Sequence, residues 1–311
     1  MSFLETLHRA VDWCVGFSGR VFVLFAAIAI VLVLIEMLVY AAAKKPKTGS
    51  KKRIALITGA SSGLGREYAR RLDRTEKDLD EIWLVARRAD RLNALAGELA
   101  CGTRVLPLDL TKPESLTALK TALTEADVEV AVLINCAGLG KIGNYEKLPL
   151  ADSDNMIEVN DRAAVDVTVT ALSFMGPGGR ILEICSTAAF QPLQHFNVYA
   201  ASKIFLYHYT RALRMELLPR HIRVTAVCPY WMRDTEFIPI AKAAEAKGEK
   251  PAIKNFAFGV PADRVARRSL RTNRLGMAVS TPGLFCTIHR FFSKLLPREV
   301  LLYFWELLRR L

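Results

Sequence analysis

The feature that most constrains this chain is the run "RIALIT", Arg53 to Thr58, followed at once by "GASSGLGREYARRL". A short β-rich apolar run reads as a buried strand, the glycines at Gly59, Gly63 and Gly65 as a turn, and the spacing after them as a helix. Strand, glycine turn and helix in that order suit a phosphate. Glycine lets the backbone approach the anion, and the helix N-terminus attracts it. Five more strand-like runs follow: "EIWLVARR" (81–88), "TRVLPLDL" (103–110), "VAVLINCAG" (130–138), "GRILEICS" (179–186) and "IRVTAVCP" (222–229), with helical patterns between them. This alternation predicts an α/β fold, a doubly wound parallel sheet covered by helices on both faces. Ligands then bind at the carboxyl ends of the strands, where each of these runs places a Gly, Arg, Asp, Asn, Ser or Pro.

The end of the second run is informative. A dinucleotide fold that takes NAD puts a carboxylate there for the ribose 2′-hydroxyl. Here Ala86, Arg87 and Arg88 occupy that place. Arginine pairs with a 2′-phosphate that a carboxylate would repel, so the reading is NADP(H), with Arg87 as the phosphate partner. Further on, "YAASK" sets Tyr199 and Lys203 four residues apart, one turn of a helix, so the two side chains share a face.

Taken together, "TGASSGLG" (58–65), "LD" (108–109), "NCAG" (135–138), Asn160 in "IEVN", Ser186 in "EICST", "YAASK" (199–203) and Pro229 resemble the short-chain dehydrogenase/reductase family over roughly residues 53–283. The resemblance implies a single Rossmann-like domain of about seven strands. It implies a catalytic set of Asn160, Ser186, Tyr199 and Lys203. Tyr199 gives a proton to the carbonyl oxygen as hydride arrives, and Ser186 orients that oxygen. Lys203 lowers the pKa of Tyr199 and holds the nicotinamide ribose, and Asn160 holds a relay water. Cofactor contacts are implied for Gly59, Ser61, Ser62, Gly63, Leu64, Gly65, Asp109, Leu110, Asn135, Ala137, Gly138, Tyr199, Lys203, Pro229, Met232 and Thr235. Asn135 reads equally as a structural bridge between strands. The family's nicotinamide clamp is altered, because Tyr230 replaces a glycine and Thr235 comes one position late. Residues 236–261 correspond to the family's lid over the substrate, and 261–270 read as the next helix. The family is usually dimeric or tetrameric.

Two segments lie outside that domain. "VFVLFAAIAIVLVLIEMLVYAAA", 21–43, holds one charge, Glu36, in 23 residues, which is long enough for a transmembrane helix. Six cations follow between Lys44 and Arg53, through a linker at 44–52, which places the catalytic domain in the cytoplasm on a single-pass anchor. A cleaved signal peptide fits less well, because the apolar run is too long. At the other end, 284–311 reads as a basic amphipathic helical tail, suited either to a membrane interface or to packing on the protein.

Basic residues outnumber acidic ones, 43 to 31, but without aromatic interleaving, so nucleic acid is not an expected partner. The six cysteines have no paired spacing and read as free thiols, with no metal site. The expected function is reduction of a ketone on a lipophilic substrate, a long-chain 3-ketoacyl group or a steroid, by a membrane-anchored NADPH-dependent enzyme. Anchor and tail resemble the family's long-chain 3-ketoacyl reductases and 17β-type hydroxysteroid dehydrogenases. The alternatives are an oxidising retinol- or 11β-type dehydrogenase and a non-catalytic NADPH-binding scaffold on the membrane.

Overall fold

The computed structural model describes residue 20, scattered positions from 23 to 40, and residues 51–243, 251–254, 256 and 258–311. The chain divides into two units, Met1–Ala43 and Lys44–Leu311. In the first, most of the expected span at 21–43 lies outside the described residues. The positions that are described are helical, and Val23, Leu24, Ile28, Val31 and Leu38 expose their side chains. Among the described residues no helix is long and apolar enough to cross a membrane. Linker residues 44–50 and Cys14 also lie outside them.

The second unit is built on seven parallel strands in the order β3-β2-β1-β4-β5-β6-β7. They are β1 (Lys52–Thr58), β2 (Glu81–Ala86), β3 (Gly102–Pro107), β4 (Val128–Asn135), β5 (Arg180–Ile184), β6 (Arg223–Val227) and β7 (Val279–Ser280). Between them run α1 (Gly63–Thr75), α2 (Ala89–Ala96), α3 (Pro113–Glu125), α4 (Leu150–Ile157), α5 (Ala163–Leu172), α6 (Asn197–Glu216), α7 (Phe237–Lys242) and α8 (Ala262–Arg274). The tail forms α9 (Leu284–Leu295) and α10 (Arg298–Arg310). The six strand-like runs of the sequence are β1 to β6. The seventh strand has only two residues, too few to show a period, and holds by pairing Val279 and Ser280 with Ala226 and Val227.

Period-two alternation along each strand divides the core between the two faces. On one face Ala55, Ile57, Ile82 and Leu84 pack with Leu64, Tyr68 and Leu72 of α1 and Val265, Ala266 and Leu270 of α8. On the other, Ile54, Leu56, Trp83 and Val85 pack with Leu119 and Leu123 of α3, Val167 of α5 and Leu213 of α6. Both faces are covered, which is why the strands read as continuous apolar runs. Chain order reverses between β1 and β4, and the strand ends beside that point open the crevice that holds the site.

Asn135, at the end of β4, points into the protein. Its Nδ2 lies 2.7 Å from Thr168 Oγ1, 2.9 Å from Glu183 Oε1 and 3.2 Å from the Ala164 carbonyl. It bridges β4, β5 and α5, so the structure selects the bridging role over the cofactor contact. Glu183 is fully buried on β5, and burial pushes its carboxyl up to about 7 against bonds from Asn135 and Thr168 that lower it.

That carboxyl gives stability a pH dependence. In the unfolded chain it releases its proton near 4.5, whereas in the fold it keeps it to about 7. Its contribution is fully present below the lower value and is lost as pH rises through the upper one. Glu183→Gln keeps the bridge and removes the titration. Thermal unfolding should show the variant level with wild type near pH 4 and more stable at pH 8, by about 2–4 °C for each kcal/mol. A variant equally weakened at both pH values would contradict this.

Candidate active site

The site grows out of the turn after β1. Gly59 has φ +66°, and a Cβ there would stand 2.8 Å from backbone atoms of Cys136 and Ala137. Gly65, in the first turn of α1, would place a Cβ 2.3 Å from the Gly59 carbonyl oxygen. Neither contact has room for a side chain, so the turn and the helix N-terminus stay close under the end of β4. Thr58 fastens the arrangement: its Oγ1 accepts from the N–H groups of Cys136 and Ala137, both at 3.0 Å.

Arg88 lies across this turn. Its Nη2 donates to Ser61 Oγ at 3.1 Å and Ser62 Oγ at 2.9 Å, while its Nη1 reaches Glu236 Oε2 at 3.1 Å. Arg91 Nη1 holds the other oxygen of Glu236 at 2.5 Å. Arg87 and Arg88 line the same cavity as the glycine turn. Arg88 was not among the contacts read from the sequence, although adjacent arginines at a strand end were signal enough. Three features fit a phosphorylated dinucleotide: a glycine cradle with no space for Cβ atoms, a helix N-terminus above it, and two guanidinium groups where the second strand ends.

At the other end of the crevice lies the Ser–Tyr–Lys group. Ser186 follows β5 in extended backbone and accepts from the Ala188 N–H at 3.1 Å, while Thr187 N donates to the Pro229 carbonyl at 3.0 Å. Lys203 is buried on α6 and donates to the Ile184 carbonyl at 3.0 Å. Its Nζ is 5.7 Å from the centre of the Tyr199 ring. That ring stacks on Phe196 at 4.2 Å and meets Phe237 at 5.5 Å. Burial pushes the Tyr199 phenol well above its ordinary value, and its hydrogen bond with Ser186 opposes this. Burial also lowers the Lys203 ammonium. The expected lowering of Tyr199 by Lys203 is thus corrected: enclosure outweighs every nearby charge, and Tyr199 is a protonated acid at neutral pH.

The side chain of Asn160 is enclosed by the chain, near Lys203, both standing beside Gly138. It sits in a π-helical turn, Glu158–Arg162, fully buried and outside the cavity lining. Its amide is engaged by the chain: Oδ1 accepts from Leu139 N at 2.9 Å, and Nδ2 donates to the Leu139 carbonyl at 2.9 Å and to Ser202 Oγ at 3.0 Å. It fixes the loop after β4 against α6. Asn135 and Asn160 apart, every residue singled out from the sequence lines one cavity of about 690 Å³, namely Gly59, Ser61, Ser62, Gly63, Leu64, Gly65, Arg87, Asp109, Leu110, Ala137, Gly138, Ser186, Tyr199, Lys203, Pro229, Met232 and Thr235. Thr235 donates to the Met232 carbonyl at 3.2 Å.

The apolar half of the cavity was less visible in the sequence. Tyr230, Trp231 and Phe237 line it, and so do Phe285, Ile288, Phe292, Leu301, Phe304 and Trp305 from α9 and α10. The tail therefore packs on its own protein. Trp305 Nε1 donates to the Gln194 carbonyl at 3.3 Å, and Lys254 N donates to the Arg309 carbonyl at 3.1 Å. Residues 244–250, 255 and 257 of the expected lid lie outside the described residues. The described cysteines, Cys101, Cys136, Cys185, Cys228 and Cys286, are free thiols, and among the described residues no cluster is fit to hold a metal ion.

Comparison with known proteins gives consistent results. Residues 53–245 match the family model described as short chain dehydrogenase. Sulfoacetaldehyde reductase 2 of Chromohalobacter salexigens is 37% identical over 193 residues, 59% of this chain and 74% of that protein. The very-long-chain 3-oxoacyl-CoA reductase of Podospora anserina is 27% identical over 244 residues, 74% of this chain and 69% of that protein. Among solved structures, a short-chain dehydrogenase from Sphingobium yanoikuyae in complex with NADPH aligns with a TM-score of 0.64 at 28% identity, covering 78% of this chain and 94% of its own.

The glycine turn makes a direct test. Gly59→Ala forces a side chain into left-handed backbone and onto the backbone of Cys136 and Ala137 just after β4, and should cost about 1–3 kcal/mol. Gly97→Ala, where the nearest atom to the new Cβ is 3.5 Å away, should be neutral or slightly stabilising. Thermal unfolding of the two variants should separate them, and equal melting temperatures would contradict the geometry.

Proposed function

We propose that this chain, which belongs to the short chain dehydrogenase family, is an NADPH-dependent reductase of ketones on lipophilic substrates, foremost long-chain 3-oxoacyl groups. The observation that carries the reading is one cavity with two chemically distinct ends meeting at Tyr199. One end has the glycine turn and Arg87 and Arg88, and the other has an apolar wall. Gly59, Gly65 and the start of α1 would hold the dinucleotide's phosphates, with Arg87 and Arg88 on the 2′-phosphate. When bound, the dinucleotide supplies a hydride from its nicotinamide. Ser186 and Tyr199 hold the ketone oxygen, and Tyr199 O–H gives it a proton as the carbonyl carbon is reduced. The phenol is protonated at neutral pH and so has a proton to give when the oxygen becomes basic. Lys203 keeps α6 pinned to β5, and its ammonium stabilises the phenolate left when Tyr199 has given up its proton.

The long-chain preference draws support from two sources. The apolar wall comes largely from the tail, and the 3-oxoacyl-CoA reductase of Podospora anserina aligns over a longer stretch than the sulfoacetaldehyde reductase. A membrane anchor at 21–43, with the catalytic domain on the cytoplasmic side, belongs to the same reading. It rests on 23 residues with one charge and on exposed apolar side chains at the described helical positions. Phe291, Leu295, Tyr303 and Leu307 of the tail are exposed beside Lys294 and Arg298, a combination suited to an anionic lipid surface next to the cavity.

Two outcomes follow. NADPH consumption with a long-chain 3-oxoacyl thioester should fall by about 10²-fold or more in Tyr199→Phe, with NADPH binding retained. Unchanged turnover would remove Tyr199 from the chemistry. The full chain should also remain with membranes through an alkaline carbonate wash, and release into the supernatant would overturn the anchor.

A further inference from the structure

A polar pair in the apolar half of the cavity has no part in the chemistry above. Gln191 ends the short turn that Ser186 begins, so the two side chains leave opposite ends of Thr187–Phe190 and line the same cavity. Gln191 is 7% exposed, and its Oε1 lies 3.0 Å from Nε2 of His289, which α9 carries in from the tail. The surroundings are apolar. The rings of Phe190 and Phe285 lie 5.7 and 5.8 Å from that of His289. Burial pushes the imidazole down to about 4, so it is neutral at physiological pH and carries a single N–H.

His289 Nδ1 is buried with no hydrogen-bond partner. With the proton on Nε2, the imidazole donates to Gln191 Oε1 and leaves only a lone pair orphaned at Nδ1. The other tautomer would bury an orphaned N–H, which folded proteins rarely do. Donation from His289 fixes the amide with its oxygen on the imidazole and its NH₂ group on the other side. Among the described residues no acceptor takes the hydrogens of Gln191 Nε2. A polar donor on a residue more than nine-tenths buried, itself still open to the cavity, is therefore offered to whatever enters.

We propose that Gln191 is a second hydrogen-bond donor to the substrate, held in orientation by His289, and that the site selects ketones bearing another carbonyl close to the reducible one. The carbonyl of a 3-oxoacyl thioester has that placement, and a simple long-chain ketone lacks it. The assignment rests on the reductase reading above, with Ser186 and Tyr199 on the first carbonyl and Gln191 on the second. Gln191 is a specificity residue and His289 a positioning residue.

The test uses the full-length protein in detergent with NADPH. Two ketones of equal chain length are compared, a 3-oxoacyl thioester and a ketone with no second carbonyl. Gln191→Leu should lower kcat/KM for the thioester roughly tenfold or more and leave the simple ketone within about twofold. Gln191→Met, close in shape, should do the same and serves if the leucine variant folds poorly. His289→Phe keeps a ring without a donor and should lose the preference in part, while His289→Gln restores an N–H near the place of Nε2 and should regain it. NADPH binding, followed by fluorescence, should not change in any variant. Equal losses on both ketones, or no loss on either, would overturn the proposal. Wild type that reduces neither ketone would instead overturn the reductase reading, and the proposal with it, before any variant is compared.

Discussion

A buried ammonium governs the geometry of this protein. Lys203 gives one hydrogen to the carbonyl of Ile184, the last residue of β5, from a position on α6 where 4% of it is exposed. A charge enclosed to that degree is tolerated only when hydrogen-bonded and compensated. Burial works against the charged form, and the nearby carboxyls of Asp161 and Glu183 favour it. The bond locks one turn of α6 to the end of the central sheet. Tyr199, one turn earlier, has no freedom left to drift from Ser186, which follows two residues after Ile184. Enclosure that makes the lysine costly also raises the phenol, so the same apolar setting fixes both the position and the protonation of the acid.

The parallel sheet supplies the rest. Chain order reverses between β1 and β4, and the loops on either side of that point diverge and leave a crevice at the carboxyl ends. One side is polar by construction, because the glycine turn exposes backbone N–H groups and Arg88 is tethered over it by Ser61 and Ser62. The other side is apolar because α9 and α10 bring aromatic and aliphatic side chains over it. Glu236 joins the two, since it stands at the start of α7 and is held by Arg88 and Arg91.

Much of this was legible in the sequence, for a physical reason. Strands of a doubly covered parallel sheet must be apolar on both faces, so β1 to β6 announce themselves, and a site at strand ends places its motifs directly after those runs. Spacing of four on a helix also made the Tyr199–Lys203 pair visible. What sequence concealed depends on three-dimensional neighbours. Val279 and Ser280 are a strand only because β6 lies beside them. Asn160 and Asn135 carry amides typical of a binding site, yet each is turned inward by acceptors and donors from other elements. Gln191 and His289 are 98 residues apart and gain meaning only when α9 folds back over the turn after Ser186. The tail's apolar spacing showed an amphipathic pair but not which surface it would cover, and the raised phenol follows from enclosure that no local pattern encodes.

The central claim is that hydride passes within this cavity from a nicotinamide to a ketone carbon. The most direct measurement supplies NADPH deuterated at the nicotinamide C4 and a long-chain 3-oxoacyl thioester to the purified full-length protein, and weighs the product by mass spectrometry. The account predicts a 3-hydroxyacyl product carrying one deuterium on the new carbinol carbon, from one of the two C4 faces only. A product that forms without the label would contradict it.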